Sequence, residues 1–552
     1  NLVSAVPDWS SLSSSLSSEA AIHGPFGNSP ETYSPCLSLG TDAYKISKEN
    51  YGLCMHAHAC QHEFCEGNFD YDLPSYTVEA KTESDIASVF DFAAEHDIPV
   101  SVKTTGHSYQ GSSTQKGSLM IWLQNYEKDL SIIKSYVNSC SDDDVNKVAH
   151  DVISIKAGAV WDDVIEAVKG DYHVVTGGGR TVSSIGGWLQ GGGLSFSSRL
   201  YGLGVDQVID FTVVLTNGTI VTADACANSD LFWALRGGGG GTYGVVTNVH
   251  YKLYDVTPIV KLEYFSGISE AARDEYGGAY ESIVEKWFEF WIEKSPNLDP
   301  KWCGGFFGEE YAHLLYCGNK EDAQKSTFYK EINAWYWNDL PWNTFVENVW
   351  GSLILPLTVY DSWYDYRGGA DAYQNPYVTD ATGNAYTGVE NLSARMMPKD
   401  LLIEKPTEVK NLLLSTRNNL GTINYFLGGM INEVPEDETS VHPAVRNSAW
   451  NLLSIDSDTT LKIRDFVPND VTGVCYNHHY RLEPDWHNAC WGAHHSKLSE
   501  LISLYDPEAR LNCWHCVGWQ GGDPFAESPT SGCQSQSFGS FVLIGIIVAS
   551  LI

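Results

Sequence analysis

The chain has 552 residues, which is longer than one ordinary domain and predicts a large enzyme of two or three compact units. It carries 34 lysine and arginine residues against 69 aspartate and glutamate residues, a formal net charge of −35. So acidic a chain does not offer the basic surface that nucleic acids and anionic lipids require. We therefore exclude a nucleic-acid partner and attribute the charge to solubility.

Residues 1–71 are rich in serine and cysteine and show weak periodicity, which predicts a disulfide-tied surface segment. From residue 72 the pattern sharpens. Residues 77–80 predict a strand, Thr82 and Asp85 supply a cap for an amphipathic helix over 86–94, and residues 99–103 predict a second strand. Residues 152–157 predict a further strand and residues 161–168 a further helix, so the pattern of a strand followed by a helix repeats. Residues 208–215 and 219–222 predict a hairpin turning at Asn217-Gly218.

The composition changes over residues 257–470, which we interpret as a second domain. A helix is predicted near 279–293, and the aromatic content is high, with Trp335, Trp337, Trp342, Trp350 and Trp363. Core packing explains this density, and walls that stack on sugar rings are the alternative. Residues 471–520 form the last folded segment. It contains a helix over 497–504 that ends at Asp506-Pro507.

Thirteen cysteines indicate an oxidising compartment and leave at least one unpaired. We favour disulfides, with zinc as the alternative, because only Cys513 and Cys516 form a tight Cys-x2-Cys pair and zinc sites usually present two. The glycosylation acceptors Asn217 and Asn391 agree with secretion.

The C-terminal segment, residues 521–552, reads as a linker followed by an apolar tail. The tail, residues 541–552, is shorter than the ~20 residues of a transmembrane helix. Small residues, a polar spacer and an apolar end match a glycosylphosphatidylinositol anchor signal. We therefore expect a secreted or cell-surface protein with membrane anchoring through the tail. A short tail anchor and an unstructured end are the alternatives.

Glycine is concentrated over residues 176–204 and 236–247, which contain Gly177-Gly-Gly179, Gly191-Gly-Gly193 and Gly237-Gly-Gly-Gly-Gly241. Such runs suit neither helix nor strand, so they indicate a ligand or a segment that approaches the bare backbone closely. A pyrophosphate cradled by backbone amides is the common case. The spacing is not that of a Gly-x-Gly-x-x-Gly nicotinamide site.

Five motifs in one order resemble a known family. They are Pro99-Val-Ser-Val-Lys-Thr-Thr-Gly-His-Ser-Tyr109, the glycine-rich stretch, Asn217-Gly-Thr-Ile-Val221, Asp230-Leu-Phe-Trp-Ala-Leu-Arg-Gly237 and Tyr505-Asp-Pro507. The family is the FAD-linked oxidases of the vanillyl-alcohol oxidase fold, in the berberine bridge enzyme-like branch. The resemblance covers about 72–256 and 470–518.

The resemblance implies an α+β fold with three folded parts. A PCMH-type, two-subdomain FAD-binding domain spans 72–256. A substrate-binding domain with an antiparallel sheet covered by helices spans 257–470, and residues 471–520 complete the FAD site.

The resemblance also implies FAD bound covalently through His107, whose ring would carry the flavin 8α-methyl. Arg180 stands where many members have a second linking cysteine, so we expect one bond only. The implied cofactor-binding residues are Thr104, Thr105, Gly106, His107, Ser108, Tyr109, Gly178, Gly179, Thr181, Ile185, Gly186, Gly187, Gly191, Gly192, Gly193, Tyr201, Gly244, Val245, Val246 and Asn477.

The implied reaction is hydride transfer from an alcohol group to the flavin while a protein base removes the hydroxyl proton. In the family the base comes from the C-terminal segment, so Tyr476, Asn477 and His478 are the candidates, with His442 and Arg446 behind them. His478 departs from the usual residue at its place. Ile185 stands where a small residue admits oxygen in related enzymes, so we expect a slow oxidase or a dehydrogenase.

The expected function is therefore FAD-dependent oxidation of an alcohol, most plausibly on a carbohydrate, with oxygen or another acceptor reoxidising the flavin. Two alternatives stay open. One is a hydroxy-acid or sugar-lactone dehydrogenase, and the other is a flavin-binding surface protein with weakened catalysis.

Overall fold

The structure is a computed structural model. It describes residues 7–25, 74–108, 112–141, 144–145, 147–177, 179, 182–265, 270–309, 311–339, 357–368, 393–454, 456–480 and 483–519. The apolar tail, Asn391 and the four N-terminal cysteines lie outside these residues, as do the side chains of Trp335, Trp337, Trp342 and Trp350.

The first sheet has four strands in the order β1-β2-β4-β3, with β2 and β3 both parallel to β4. Its strands are β1 (Ala21–His23), β2 (Tyr76–Glu79), β3 (Val100–Lys103) and β4 (Leu119–Trp122). Helix α1 (Trp9–Ser15) precedes β1, and α2 (Glu83–His96) joins β2 to β3. Thr82 and Asp85 form the predicted capping box of α2.

Residues 7–25 of the N-terminal segment differ from the expectation of a surface segment. Strand β1 pairs antiparallel with β2, and Leu12 of α1 is 1% exposed within the core. Residues 7–25 thus extend the first sheet and bury apolar surface, although their sequence shows little periodicity.

The second sheet is antiparallel, in the order β5-β6-β10-β8-β9. Its strands are β5 (Leu130–Tyr136), β6 (His150–Lys156), β8 (Val208–Val214), β9 (Ile220–Asp224) and β10 (Val245–Lys252). Helices α3 (Trp161–Ala167), α4 (Gly187–Gln190), α5 (Ser198–Tyr201) and α6 (Ser229–Leu235) lie between them in the chain. A small pair, β7 (Tyr172–His173) with β11 (Tyr254–Asp255), completes this part.

A seven-stranded antiparallel sheet follows, in the order β15-β12-β14-β13-β17-β18-β16. Its strands are β12 (Ile259–Phe265), β13 (Trp302–Phe307), β14 (Tyr311–Cys317), β15 (Leu357–Tyr360), β16 (Ser393–Pro398), β17 (Leu420–Asn424) and β18 (Ser448–Ser454). Its helices are α7 (Glu270–Lys294), α8 (Lys320–Lys325), α9 (Thr327–Asp339), α10 (Trp363–Gly368), α11 (Lys399–Glu404), α12 (Pro406–Thr416) and α13 (Ser457–Phe466).

The two faces of this large sheet belong to different cores. Leu262, Leu314 and Phe307 pack with Trp287 and Trp291 of α7. Alternate residues such as Ile259, Leu315, Met396 and Leu453 join the core of the first two sheets. The sheet is therefore covered by helices on one face and by the predicted FAD-binding domain on the other.

Two buried arginines connect the predicted domains. Arg199 of α5 donates to the carbonyls of Leu298, Trp302 and Leu427 at 2.6–3.0 Å. Arg446 forms a bidentate pair with Asp206, with both N–O distances at 2.8 Å. Because an unpaired buried charge is costly, these contacts fix how the large sheet sits on the FAD-binding part.

Residues 483–519 return to the first two sheets through α14 (Trp486–Trp491) and α15 (His495–Tyr505). Trp491 donates to the carbonyl of Gly237 at 3.1 Å, and Val100 of β3 donates to the carbonyl of Arg510 at 2.7 Å. Residues 483–519 thus contact both the glycine-rich segment and the segment that bears His107, as the resemblance implies. The predicted domain boundaries themselves stay predictions.

The described cysteines include three disulfides, Cys140–Cys226, Cys303–Cys317 and Cys513–Cys516. Cys513 and Cys516 are thus bonded to each other, as the favoured reading expects. Among the described residues, the group closest to a metal site is Cys140, Asp144 and Cys226, and its two cysteines form a disulfide. Of the helices described, none combines the length and the apolar character that crossing a bilayer requires.

Candidate cofactor and active site

A cavity that is partly open to solvent lies where the histidine-bearing loop, the glycine-rich segment and the C-terminal segment meet. Its lining residues are Val102, Thr104, Thr105, Gly106, His107, Ser108, Ser112, Ser113, Leu123, Ala157, Val182, Ser183, Ile185, Gly186, Gly187, Trp188, Gln190, Gly240, Gly241, Gly244, Val245, Val246, Tyr476, Asn477 and His478.

One wall is the loop that follows β3. Gly106 has φ +78°, and a Cβ there would lie 2.5 Å from the Lys103 side chain, so the turn requires glycine. Thr105 Oγ1 accepts a hydrogen bond from the backbone N–H of Ser183 at 3.2 Å. The loop that bears His107 is therefore fixed against the glycine-rich segment.

Another part of the wall is the 3-10 turn Tyr476–His478. Asn477 Nδ2 donates to the carbonyl of Gly187 at 2.9 Å, which ties the turn to α4. The Tyr476 ring stacks on Trp491 at a centroid distance of 5.2 Å, and its hydroxyl lies 3.5 Å from Cys516 Sγ. Segments almost 300 residues apart in sequence thus share one wall.

Burial governs the ionisation of this turn. It lowers the pKa of His478 to about 4, so the imidazole is neutral at neutral pH. It also raises the pKa of the Tyr476 phenol above its usual value, so the phenol keeps its proton. His478 Nδ1 is buried and has no hydrogen-bond partner among the described residues.

A histidine pair supports the turn from behind. His479 Nδ1 lies 2.7 Å from the carbonyl oxygen of Tyr476, which can only accept, so Nδ1 carries the hydrogen. His479 Nε2 must then accept from His515 Nδ1, at 2.9 Å. His515 sits between the bonded Cys513 and Cys516. The disulfide loop therefore holds the backbone of the turn through two imidazoles.

The predicted cofactor residues divide into three groups. Thr104, Thr105, Gly106, His107, Ser108, Ile185, Gly186, Gly187, Gly244, Val245, Val246 and Asn477 line the cavity. Tyr109, Gly178 and Thr181 lie outside the described residues, as does Arg180. Gly179, Gly191, Gly192, Gly193 and Tyr201 are described but are not among the lining residues.

Gly191, Gly192 and Gly193, which do not line the cavity, are packed against protein. A Cβ on Gly193 would lie 2.8 Å from the Cα of Gly204, and one on Gly191 would lie 2.5 Å from Asn477 Nδ2. Tyr201 instead lies between His173 and Tyr254. Close approach of the backbone to protein explains these glycines.

The predicted catalytic residues also differ in position. Tyr476, Asn477 and His478 line the cavity, whereas His442 is not among the lining residues. The His442 ring is wedged against Gly473 and Gly492, where a Cβ would lie 2.2 Å and 2.8 Å from it. Its Nδ1 accepts from the N–H of Ala444 at 3.0 Å, so it caps a turn.

Several lining residues were not predicted, namely Val102, Ser112, Ser113, Leu123, Ala157, Val182, Ser183, Trp188, Gln190, Gly240 and Gly241. Gly240 and Gly241 belong to a glycine run whose composition already signals a cradle. The serines and apolar residues give no local signal, because their position depends on how separate loops meet.

The lining chemistry fits a dinucleotide. In a chain with 69 carboxylates, none of the described lining residues is an aspartate or glutamate. Hydroxyls and bare glycine backbone occupy the wall instead, and these groups donate hydrogen bonds to phosphate oxygens. Leu123, Ala157, Val182, Val245 and Val246 supply an apolar part for an aromatic base. Exclusion of carboxylates favours an anionic ligand.

Comparison with known proteins agrees with this assignment. The family model "FAD binding domain" matches residues 74–224. An FAD-linked oxidoreductase of Aspergillus flavipes, ffsJ, is 26% identical over 506 residues, covering 81% of this chain and 76% of its own. One of Phaeosphaeria nodorum, phmC, is 40% identical over 187 residues, covering 33% of this chain and 42% of its own.

Solved structures share the fold. The VAO-type flavoprotein MtVAO713 from Myceliophthora thermophila C1 has a TM-score of 0.68 and 20% identity, covering 92% of this chain and 94% of its own. An Acremonium strictum glucooligosaccharide oxidase has a TM-score of 0.60 and 20% identity, covering 81% of this chain and 91% of its own. Berberine bridge enzyme from Eschscholzia californica has a TM-score of 0.63 and 16% identity, covering 93% of this chain and 99% of its own.

The matched FAD-binding domain, residues 74–224, contributes the histidine-bearing loop and the glycine-rich segment to this cavity. The chain is similar to FAD-linked oxidoreductases and has the vanillyl-alcohol oxidase-type fold that berberine bridge enzyme shares. The α+β fold and the FAD-binding domain expected from the sequence are therefore confirmed.

Proposed function

We propose that the protein oxidises a CH–OH group of a carbohydrate or another small alcohol to a carbonyl, with FAD attached through His107 alone. The observation that carries the proposal is the shared cavity, which joins the His107 loop to the Tyr476–His478 turn. The similar solved structures include one described as a glucooligosaccharide oxidase, which supports a sugar as the substrate class.

The cavity residues have separate tasks in this proposal. The glycine backbone and the hydroxyls of Thr104, Ser108 and Ser183 hold the diphosphate, and the apolar part holds the adenine. His107 retains the flavin. Bound flavin supplies the two-electron acceptor, and the protein supplies orientation and proton handling.

The C-terminal turn orients the substrate hydroxyl. His478 is neutral, and its unpartnered Nδ1 can exchange a hydrogen bond with that hydroxyl. The hydrogen bond from Asn477 to the carbonyl of Gly187 holds the turn, and with it the imidazole, at the cavity wall. With a pKa of about 4, His478 is unprotonated at neutral pH, which is the form that accepts a proton. Tyr476, Asn477 and His478 stay the candidates for the group that takes the hydroxyl proton.

We also propose a secreted or cell-surface location. Three disulfides among the described cysteines support an oxidising compartment. Asn217 of the Asn-Gly-Thr acceptor is exposed in the turn between β8 and β9, where a glycan would meet solvent. The membrane anchor stays a prediction, because the apolar tail lies outside the described residues.

Two further candidate functions stay open beside the leading one. The likeness of residues 100–109 to dehydrogenases of hydroxy acids or sugar lactones supports such a dehydrogenase. The unusual residue His478 supports a flavin-binding surface protein with weakened catalysis. Ile185 is 1% exposed and lines the cavity, a position where a large side chain would slow the access of oxygen to the flavin. Reoxidation by another acceptor therefore belongs to the proposal.

Anaerobic mixing of the holoenzyme with probe substrates distinguishes these candidates. Cellobiose, glucose, N,N′-diacetylchitobiose and benzyl alcohol represent the proposal, and glycolate and galactono-1,4-lactone represent the dehydrogenase. Bleaching of flavin absorbance by an alcohol supports the proposal. Bleaching by the hydroxy acid or lactone alone favours the dehydrogenase, and no bleaching by any probe favours the weakened protein.

A further inference from the structure

Gln190 places a buried side-chain amide on the cavity wall. It is the last residue of α4, is 4% exposed and is among the residues that line the cavity. Its Nε2 donates to the carbonyl of Ile185 at 2.9 Å. Its Oε1 is buried and accepts no hydrogen bond from the described residues. The amide is therefore paired at one end only.

The contact with Ile185 fixes which end is unpaired. A carbonyl oxygen only accepts, so the NH₂ group of Gln190 faces Ile185 and Oε1 is the other end. Most buried polar groups in folded proteins have a hydrogen-bond partner, and leaving one unpaired is costly. A buried acceptor on the wall of a ligand cavity thus indicates a donor on the ligand.

The surroundings of Gln190 touch the C-terminal turn. Its backbone carbonyl accepts from the N–H of Gly239 at 3.1 Å, and a Cβ on Gly239 would lie 2.7 Å from the Tyr476 ring. A Cβ on Gly191, the next residue, would lie 2.5 Å from Asn477 Nδ2. Gln190 therefore stands at the end of the cavity where the proposed function places the substrate hydroxyl. The ring that accepts the hydride must lie at that same end.

The chemistry of flavin restricts the donor. The oxidised isoalloxazine ring system has a single N–H group, N3–H in its pyrimidine ring, and its other polar ring atoms only accept. N3 lies at the opposite end of the ring system from the 8α-methyl group, through which His107 holds the flavin in the proposed function. An acceptor for N3–H would therefore fix the end that the covalent bond leaves free.

We propose that Gln190 Oε1 accepts a hydrogen bond from N3–H of bound flavin and so orients the pyrimidine end of the ring beside the Tyr476–His478 turn. The inference rests on the proposed function, which places the flavin ring at that turn and tethers it at His107. Gln190 is in this role a cofactor-binding residue. Its neutral carbonyl adds no negative charge to a wall that holds the diphosphate.

The test uses 3-methyl-FAD, in which a methyl group replaces the N3 hydrogen. In the His107→Ala background binding is reversible, and fluorescence titration measures the dissociation constants of FAD and 3-methyl-FAD. Because an unpaired buried acceptor costs about fivefold to 150-fold in affinity, 3-methyl-FAD should bind at least about fivefold more weakly than FAD. Gln190→Ala removes the acceptor and makes room for the methyl group, so the two dissociation constants should then agree within about twofold.

Two variants serve as controls. Gln207 is also buried, but its Nε2 donates to the carbonyls of Tyr201 and Leu203, and it is not among the lining residues. Gln207→Ala should keep the preference for FAD even if its stability falls, because the ratio compares two ligands on one protein. Gln190→Glu keeps a side-chain oxygen in the same place and should keep the preference as well.

A second readout uses the covalent holoenzyme and needs no turnover. Protein produced with ¹⁵N-labelled riboflavin reports on N3 directly by NMR. We expect the N3–H hydrogen to be protected from exchange with water. Its ¹⁵N signal should move in Gln190→Ala and stay in Gln207→Ala.

The outcomes separate this inference from the proposed function. Equal binding of FAD and 3-methyl-FAD by protein that keeps Gln190, or an N3 signal that does not respond to Gln190→Ala, overturns the inference and leaves alcohol oxidation standing. Flavin–hypoxanthine dinucleotide lacks the adenine amino group; a preference for FAD over it that disappears in Gln190→Ala would assign the acceptor to adenine and also overturn the inference. Failure of every probe alcohol to reduce the flavin overturns the proposed function, whereas the binding ratios still decide the role of Gln190.

Discussion

Replacing Gly187 with alanine separates the stability of the protein from its capacity to hold FAD. Gly187 is the first residue of α4 and lines the cavity. An added Cβ would meet only one described protein atom within reach, Asn477 Oδ1 at 4.0 Å, so the methyl group would occupy cavity space. Since alanine is favoured over glycine in a helix by about 0.5–1 kcal/mol, the flavin-free variant should be no less stable than wild type.

The same methyl group should weaken FAD binding. Overfilling a packed site costs about 1–3 kcal/mol, which is about fivefold to 150-fold in the dissociation constant. FAD titration in a His107→Ala background makes binding reversible, and thermal melts of the flavin-free proteins report stability. Gly518→Ala is the control, because its Cβ would lie 3.2 Å from Ile502, away from the cavity. Wild-type affinity in Gly187→Ala would refute the assignment of the cavity to FAD.

Four further predictions test other parts of the structure. In His107→Ala, flavin should stay in the supernatant after acid precipitation, whereas the wild-type pellet should stay yellow; colour in the variant pellet would contradict the single linkage. Burial lowers the pKa of His173 in the folded protein to about 3, below its unfolded value of about 6.5. The contribution of the neutral, buried His173 to folding stability is therefore fully present above pH 6.5 and is lost as the pH falls toward 3. Denaturant titrations of His173→Phe should therefore depend less on pH over that range than those of wild type. Asp206→Asn leaves Arg446 buried without its carboxylate and should lower the free energy of unfolding by about 3–5 kcal/mol in urea titrations; an unchanged free energy of unfolding would contradict this role of the pair. Ile185→Ala should accelerate reoxidation in stopped-flow traces with oxygen, and an unchanged trace would remove Ile185 as the barrier.

The sequence predicted the cofactor loops because their signals are local. Gly106 and His107 lie within one short motif, and the turn at Gly106 demands glycine through its own φ of +78°. The capping box at Thr82 is equally local, since both hydrogen bonds span three residues. Such features need no knowledge of how distant strands pair.

The glycine runs have two structural roles that the sequence alone could not distinguish. Gly187 presents bare backbone to the cavity, whereas Gly193 admits the backbone of Gly204 at a distance no side chain would allow. Both cases look identical in composition. Only the packing of the surrounding segments decides whether a ligand or a second chain segment occupies the space.

The contacts among Glu263, His313 and Tyr366 were beyond local reasoning for a different reason. Glu263 and His313 are 50 residues apart, and the register of β12 with β14 alone places them opposite each other. Tyr366 joins them from a helix whose own position depends on contacts with Thr176 and Gly177. Three unrelated residue types at these spacings resemble any surface carboxylate, strand histidine and helix tyrosine.

The distribution of charge on the cavity wall tests the assignment of the cavity to FAD. The described wall excludes carboxylates, which suits a dinucleotide diphosphate, so a negative charge on that wall would oppose the cofactor. A carboxylate substituted at Ser183, on the cavity wall, should therefore reduce FAD binding.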